Sequence, residues 1–333
     1  MKYSGIGGQS VMEGVMMRNG KKYAVAVRKP NHEIEVKVEE NKGSLFDEKW
    51  NRVPLVRGVL SFIDCMVLGM SNLKYSAYFF EDEEEEKNGR QEPRKADRDQ
   101  EPQKEKREDK KPDSKKAERQ EKVLMGGTVA FSIVLAVGIF MLLPYYLSQL
   151  FQRFVTENET ATAIFEGVLR LLIFVAYIGL ISCMRDIQRV FMYHGAEHKC
   201  INCIEHGMDL TVENVKKSSR EHKRCGTSFL VFVVVITIIL YLFIRVDSHV
   251  LRVVIRLLLI PVIAGISYEL LRAAGRSENR LIQILSKPGL WMQRLTVREP
   301  DEEMIEVGIA SVEAVFDWRP FVEEVRAEES ADH

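Results

Sequence analysis

The chain has 333 residues, a net charge of −1, 46% hydrophobic residues and 29% charged ones. Balanced charge gives no reason to expect a nucleic-acid partner. Five cysteines, an odd number, do not form a simple disulfide framework and suit a reducing compartment with thiolate ligation.

The first residues, Met1 to Gly8, lack the apolar run of a cleavable signal peptide. Residues 1–45 read as a small β-rich region. Gly5, Gly7 and Gly8 open it with a flexible turn, Tyr23–Val27 and Glu33–Val38 form a hairpin, and Ser10–Arg18 offers a third strand. So small a unit cannot bury a core alone and needs something to pack on. Residues 54–80 show helical spacing in Val56, Val59, Leu60, Ile63, Met66, Val67, Met70 and Leu73. Arg57, Asp64 and Lys74 interrupt it, which predicts an interfacial or re-entrant helix rather than a span. Residues 81–122 are almost entirely charged and polar, a composition that cannot offset chain entropy by burial, and read as a disordered linker.

Four long apolar segments follow: Val123–Leu147, Ala161–Met184, Phe229–Ile244 and Val250–Leu271. Each is long enough to cross a hydrocarbon layer of ~30 Å. The fold class is therefore a mainly α integral membrane protein with four transmembrane helices, a small amino-terminal β region, an interfacial helix and a cytoplasmic loop rich in His and Cys. The spans pair as 123–184 and 226–272. The connections at 151–160 and 245–248 are short and poor in Lys and Arg, whereas 185–225 and the tail carry many. That bias places both termini and the 185–225 loop in the cytoplasm. Within the spans, Glu166 and Arg170 are spaced to pair, Arg252 and Arg256 share a face near the outer interface, and Glu269 suits helix-to-helix pairing. In the cytoplasmic tail, 273–333, Asn279–Leu285 and Trp291–Leu295 read as short pieces broken at Pro288-Gly289. Residues 301–317 read as an amphipathic helix opened by acidic residues.

The loop carries the chemistry. On a helix His194 and His198 share a face, with β-carbons ~6 Å apart, so both imidazoles reach one metal ion. Glu197 approaches from the side. His-x-x-Glu-His is the inverted order of a zinc-protease motif, whose glutamate activates water. Cys203 offers a thiolate one turn on. Thr211 caps a helix over about 212–220 that returns the chain, bringing His222 and Cys225 towards the first two histidines. Mixed imidazole and thiolate donors favour a divalent metal of the zinc class, with ferrous iron as the alternative. Lys223, Arg224 and a helix amino terminus favour the thiolate of Cys225. Spacing leaves open whether such a metal is catalytic or structural.

These residues resemble the YqhQ-like family of bacterial multi-pass membrane proteins, described as predicted metal-dependent enzymes. The resemblance is carried by Gly7-Gly8-Gln9-Ser10-Val11-Met12-Glu13-Gly14-Val15-Met16-Met17-Arg18, Leu55-Val56-Arg57-Gly58-Val59, Tyr193-His194-Gly195-Ala196-Glu197-His198-Lys199, His222-Lys223-Arg224-Cys225-Gly226-Thr227-Ser228, Pro288-Gly289-Leu290-Trp291 and Leu295-Thr296-Val297-Arg298-Glu299-Pro300. It covers nearly the whole chain apart from the charged tract. It implies a bacterial plasma-membrane location and a site of His194, Glu197, His198, Cys203, His222 and Cys225, with Glu13 and Arg18 as accessory residues near the loop. Lys223 stands where the family pattern has Pro, which leaves the ligands intact. Two functions remain: a membrane hydrolase in which Glu197 takes a proton from water, and a scaffold, docking an unknown protein partner, whose metal only fixes the loop.

Overall fold

A computed structural model describes residues 2–41, 52–89, 114–244, 246, 248–275 and 279–331. The chain divides into two compact units, one of residues 1–84 and 175–333, the other of residues 85–174.

The first unit begins with a four-stranded antiparallel meander: β1 (Ile6–Val11), β2 (Gly14–Asn19), β3 (Lys22–Arg28) and β4 (Ile34–Glu40), in that order. The expected hairpin of Tyr23–Val27 and Glu33–Val38 is β3–β4, and the expected third strand is corrected to two, β1 and β2. The segment Ser10–Arg18 is split by a turn at Met12-Glu13, where Glu13 takes a φ of +48°. Gly7 and Gly8, expected in a flexible turn, lie inside β1; of the three opening glycines only Gly5 has positive φ.

Alternation gives the sheet two apolar faces. Val15, Met17, Ala24 and Ala26 point one way, and Val11, Met16, Tyr23, Val25 and Val27 the other. Burying each large apolar side chain contributes about 1.5–3 kcal/mol, so both faces need a cover. The first is covered by α5 (Arg185–Glu205) and α10 (Glu302–Val315), with Trp318 and Val322 of α11 (Trp318–Ala331) completing that core. The second is covered by Leu68, Tyr75, Phe79 and Phe80 of α1 (Val56–Gly89). The short α6 (Val212–Lys217) is capped by Thr211, whose hydroxyl accepts from the Asn214 N–H at 3.3 Å. Asp301 caps α10 by accepting from Met304 N–H at 2.8 Å.

Three further helices complete the first unit: α7 (Gly226–Phe243), α8 (His249–Ala274) and α9 (Arg280–Thr296). The two short pieces expected at 279–295 are one helix, with Pro288 inside it. Gly289 lets α9 pack directly against α7 at this point, since a β-carbon there would lie 2.6 Å from Ser228 Oγ. Glu269 of α8 pairs with Arg57 of α1 through two hydrogen bonds. Arg252 donates to the Val246 carbonyl at 2.9 Å, and the Arg256 guanidinium lies 4.5 Å from the Tyr241 ring centre.

The second unit is built on α2 (Ser114–Val137), a π-helical segment at Gly138–Leu142, α3 (Leu143–Phe154) and most of α4 (Glu159–Ile181). Arg170 and Glu166 pair at 2.7 Å and are both buried. Arg170 also donates to the Phe140 carbonyl, which lies in the π segment.

Among the described residues five helices are long and apolar enough to cross a membrane: Val56–Phe80, Gly126–Phe154, Glu159–Ile181, Gly226–Phe243 and His249–Ala274. The sequence reading expects four. The additional one is α1, whose polar interruptions are too few to bring it below the apolarity of a span. The linker expected at 81–122 falls mainly on residues 90–113, outside the described residues. Its flanks extend α1 to Gly89 and start α2 at Ser114.

Candidate metal centre

Helix α5 is unlike the other polar helices of the chain because residues 195–205 are buried without a break. Glu197, His198, Lys199, Asn202 and Glu205 are all among the buried polar residues. Charged groups are seldom fully buried unless partnered, so such a helix marks a polar centre. The chain breaks between α4 and α5 at Ser182–Met184, so the motif stands on its own helix rather than prolonging the preceding one. Gly195 permits a close approach there, since a β-carbon would lie 2.0 Å from the Arg298 carbonyl oxygen.

His194, His198 and Cys225 come together at the centre. One donor atom from each lies within 4.8 Å of the other two. The imidazole rings of His194 and His198 are 4.4 Å apart, as expected for residues one turn apart. Cys225 arrives from the far end of the loop as the N-cap of α7, its Sγ 3.2 Å from His194 Nε2. The Thr227 N–H donates to that sulfur at 3.3 Å and holds it at the start of α7.

Backbone carbonyls fix the tautomers. His194 Nδ1 is 3.1 Å from the Thr296 carbonyl oxygen, and His198 Nδ1 is 2.5 Å from that of Arg220. A carbonyl only accepts, so each Nδ1 carries the proton and each Nε2 presents a lone pair. This is the outer arrangement that metal-ligating histidines use. His198 Nε2 is buried with no hydrogen-bond partner among the described residues. An acceptor left so costs about 1–3 kcal/mol. A zinc-class cation fits these three donors and would satisfy that nitrogen.

Glu197 lies beside them, its Oε2 4.0 Å from His194 Nε2. Burial pushes its carboxyl up to about 7, against the opposing effects of His194 and a hydrogen bond from the Gly8 backbone. Gly8 is required at that point. A β-carbon there would lie 2.7 Å from Glu197 Cγ and 2.8 Å from the Met16 carbonyl oxygen. Strand β1 is thus one wall of the site.

The other expected site residues are placed differently. Cys203 is buried against the carbonyls of Met208 and Asp209, 3.8 and 3.4 Å away, and stands outside the three-donor group. Burial raises its thiol to about 11. His222 stacks near His198, ring centres 5.5 Å apart, but its Nε2 accepts from Arg224 at 3.1 Å. Burial pushes His222 down to about 4 and keeps it neutral. Arg224 also holds Glu205, which accepts from the Ser4 backbone N–H at 2.9 Å and its hydroxyl at 2.7 Å. Burial would raise the Glu205 carboxyl, yet the Arg224 guanidinium and the two Ser4 donors hold it well below the usual carboxylate range. Glu13 binds Arg189 through two hydrogen bonds and accepts from Tyr193 OH at 3.2 Å, anchoring the β1–β2 turn to α5. Arg18 donates to the Gly20 carbonyl at 2.8 Å.

Sequence reasoning missed Gly8, Gln293 and Asn202. Gln293 of α9 clamps the backbone of His222 from both sides, accepting from its N–H at 2.9 Å and donating to its carbonyl at 2.8 Å. Asn202 donates to the carbonyls of Ser219 and Glu221. No signal marked Asn202, whose neighbours three and four positions away are His198, Lys199, Glu205 and His206.

The fold and site define a mainly helical protein with a small antiparallel sheet, several long apolar helices and a largely buried His/Cys cluster. Residues 53–318 match the family described as "Protein of unknown function (DUF1385)", and the chain belongs to that family. It is 33% identical over 307 residues to a Bacillus subtilis (strain 168) protein named "Uncharacterized protein YqhQ", covering 92% of this chain and 90% of that one. No solved structure matches it.

Proposed function

We propose that the protein is a metal-dependent hydrolase of the bacterial plasma membrane, with its catalytic head and both termini on the cytoplasmic side. The observation that carries this reading is the convergence of one donor atom each from His194, His198 and Cys225, with Glu197 beside it. His194, His198 and Cys225 hold the metal, zinc being favoured by two imidazoles and a thiolate and ferrous iron being the alternative. Three protein donors leave a position open, as in catalytic rather than structural sites.

When bound, the metal supplies Lewis acidity at the site. Glu197 acts as the base: a carboxylate raised to about 7 by burial accepts a proton from water at neutral pH and can return it to a leaving group. The Gly8 N–H orients that carboxylate. Thr296 and Arg220 hold the imidazoles in their ligating tautomers through carbonyls. Cys203 and His222 serve the scaffold of the head in this reading. Membrane insertion is supported by the long apolar helices and by the Lys- and Arg-rich loop and tail. The substrate bond is an ester, amide or phosphoester.

The test is Glu197→Gln in proteoliposomes, assayed on chromogenic carboxyl and phosphate esters and fluorogenic peptides. The variant should keep its metal and lose about 10²–10⁴-fold in rate. Equal rates for variant and wild type would rule out Glu197 as the base. They would leave the metal a structural role in a scaffold that docks a protein partner.

A further inference from the structure

Helix α1 is counted among five candidate spans by length and composition, yet the packing of its two halves and the connectivity of the chain argue otherwise. We infer that α1 does not cross the membrane. It starts inside the cytoplasmic leaflet, emerges beside the metal centre, and presents Ile63, Met66 and Val67 to lipid at the leaflet surface. This rests on the membrane reading above and not on the metal.

The first half of α1 is fixed in depth by α7 and α8. Gly58 packs against Gly265 and Tyr268, with a β-carbon at Gly58 only 3.0 Å from Gly265 Cα, the close backbone approach that small residues allow between helices. The Leu55 carbonyl oxygen would lie 2.8 Å from a β-carbon at Gly265. Gly265 is nine residues from Ala274, the end of α8, or roughly 14 Å along the helix axis. Phe62 then stacks on Phe229 with ring centres 5.3 Å apart. Phe229 is three residues into α7, about 5 Å from its start. From Leu55 to Phe62 the contacts therefore rise by about 9 Å, close to the ~10 Å that seven helical residues span. Successive residues of α1 run outwards.

The second half has already left the bundle. Gly69 abuts the Gln9 side chain of β1, the Ser76 hydroxyl accepts from the Met12 N–H at 3.2 Å, and Leu68, Tyr75, Phe79 and Phe80 cover the sheet. A crossing helix would instead meet deeper residues of α7 and α8 as it advanced.

Connectivity gives an independent argument. Ile6, Val15 and Met17 share one core with Tyr193, Ala196 and Cys200 of α5, so the sheet and α5 lie on the same side of any membrane. An even number of crossings must separate them. Among the described residues three candidate spans lie between them in sequence, Val56–Phe80, Gly126–Phe154 and Glu159–Ile181. One of the three does not cross, and α1 is the one whose contacts turn away. The two candidates between α5 and α10, α7 and α8, satisfy the same rule without adjustment.

The side of α1 facing neither sheet nor bundle carries Ile63, Met66 and Val67, 36%, 52% and 57% exposed, at helical spacing. By the same depth count these stand where the helix emerges, the level at which an apolar stripe enters the boundary of headgroups and acyl chains. Gly69 of α1 packs on Gln9, the neighbour of Gly8, which abuts Glu197, so the helix emerges beside the metal centre.

The test uses the full chain in oriented membrane vesicles. One protease recognition sequence is inserted after Gly89 and a second is appended after His333 as the reference, because α11 packs into the head. Both should be cut in inside-out vesicles and spared in right-side-out ones. Cleavage after Gly89 only from the side opposite the reference would show that α1 crosses and would overturn the inference. In a second arm Met66→Trp is reconstituted with brominated lipids. The added emission should be quenched more by bromines near the top of the acyl chains than by bromines near the methyl ends. Added emission insensitive to both lipids would show that protein, a second copy or another part of this chain, covers the stripe instead, and would overturn the lipid contact. Release of the full chain from membranes by alkaline carbonate would mark failure of the membrane reading itself.

Discussion

His194 Nε2 and Cys225 Sγ stand 3.2 Å apart although 31 residues separate them in the chain, because α6 and the Asn202 and Gln293 clamps fold the loop back on α5. The same contact ties α5 to the first residue before α7, so the candidate metal centre is also the joint between the head and an apolar helix.

The two buried cysteines of the loop should therefore behave differently. Cys225→Ser should weaken zinc binding by more than the ~10–100-fold that loss of an outer partner costs. Cys203→Ser, which alters a thiol among backbone carbonyls, should leave zinc affinity unchanged. Competition titration with a chromogenic chelator reads both.

Gly7 and Gly8 are neighbours in β1 with opposite tolerances. A β-carbon at Gly7 meets nothing within 4 Å, whereas one at Gly8 meets Glu197 and the Met16 carbonyl. Gly7→Ala should be neutral in thermal melting and rate. Gly8→Ala should cost about 1–3 kcal/mol of stability through overpacking. It should also lower the rate by displacing Glu197, while metal content stays that of wild type. Gly195→Ala is harsher, with a contact of 2.0 Å to backbone. It should reduce folded protein and bound metal together.

Acid should loosen the head in two stages. His222 is held at about 4, below its usual value near 6.5, and Glu205 at about 2, below 4.5. Each depressed value means that the unfolded chain takes up the proton first, so stability is fully present at higher pH and declines as pH falls. The His222 share is lost between about pH 6.5 and 4, and the Glu205 share between about 4.5 and 2. The Glu197 carboxyl, raised to about 7, works the other way between about pH 7 and 4.5, so the comparison belongs in the Glu197→Gln background. Melting of that detergent-solubilised variant should fall from pH 7 to pH 4, and adding His222→Gln should flatten the upper part of that decline. A melting temperature of Glu197→Gln that is independent of pH across this window would contradict the assignment of a neutral His222.

Much of this was legible in the sequence. Helical spacing put His194, Glu197 and His198 on neighbouring positions, and Thr211 announced the turn that brings Cys225 home. Cys203 was misleading for a reason the helix itself supplies. At nine residues from His194 it lies on the opposite face at 3.6 residues per turn, so proximity in sequence carried no proximity in space. The role of Gly8 was hidden because a glycine in a strand looks like a flexible residue until the side chain it makes room for is known. The depth of α1 was hidden because its apolar residues serve three surfaces at once: α7 and α8, the sheet, and the outward stripe. The carbonyls of Thr296 and Arg220 leave no trace in side-chain identity at all.

The central claim is that His194, His198 and Cys225 hold a metal, and metal content tests it most directly. Protein extracted in mild detergent without chelator should contain about one zinc or iron per chain by mass spectrometry of the metal, the occupancy of a single mononuclear site. The His194→Ala/His198→Ala double variant, folded by its melting curve, should contain none. Metal retained by that variant, or absent from wild type, would contradict the account.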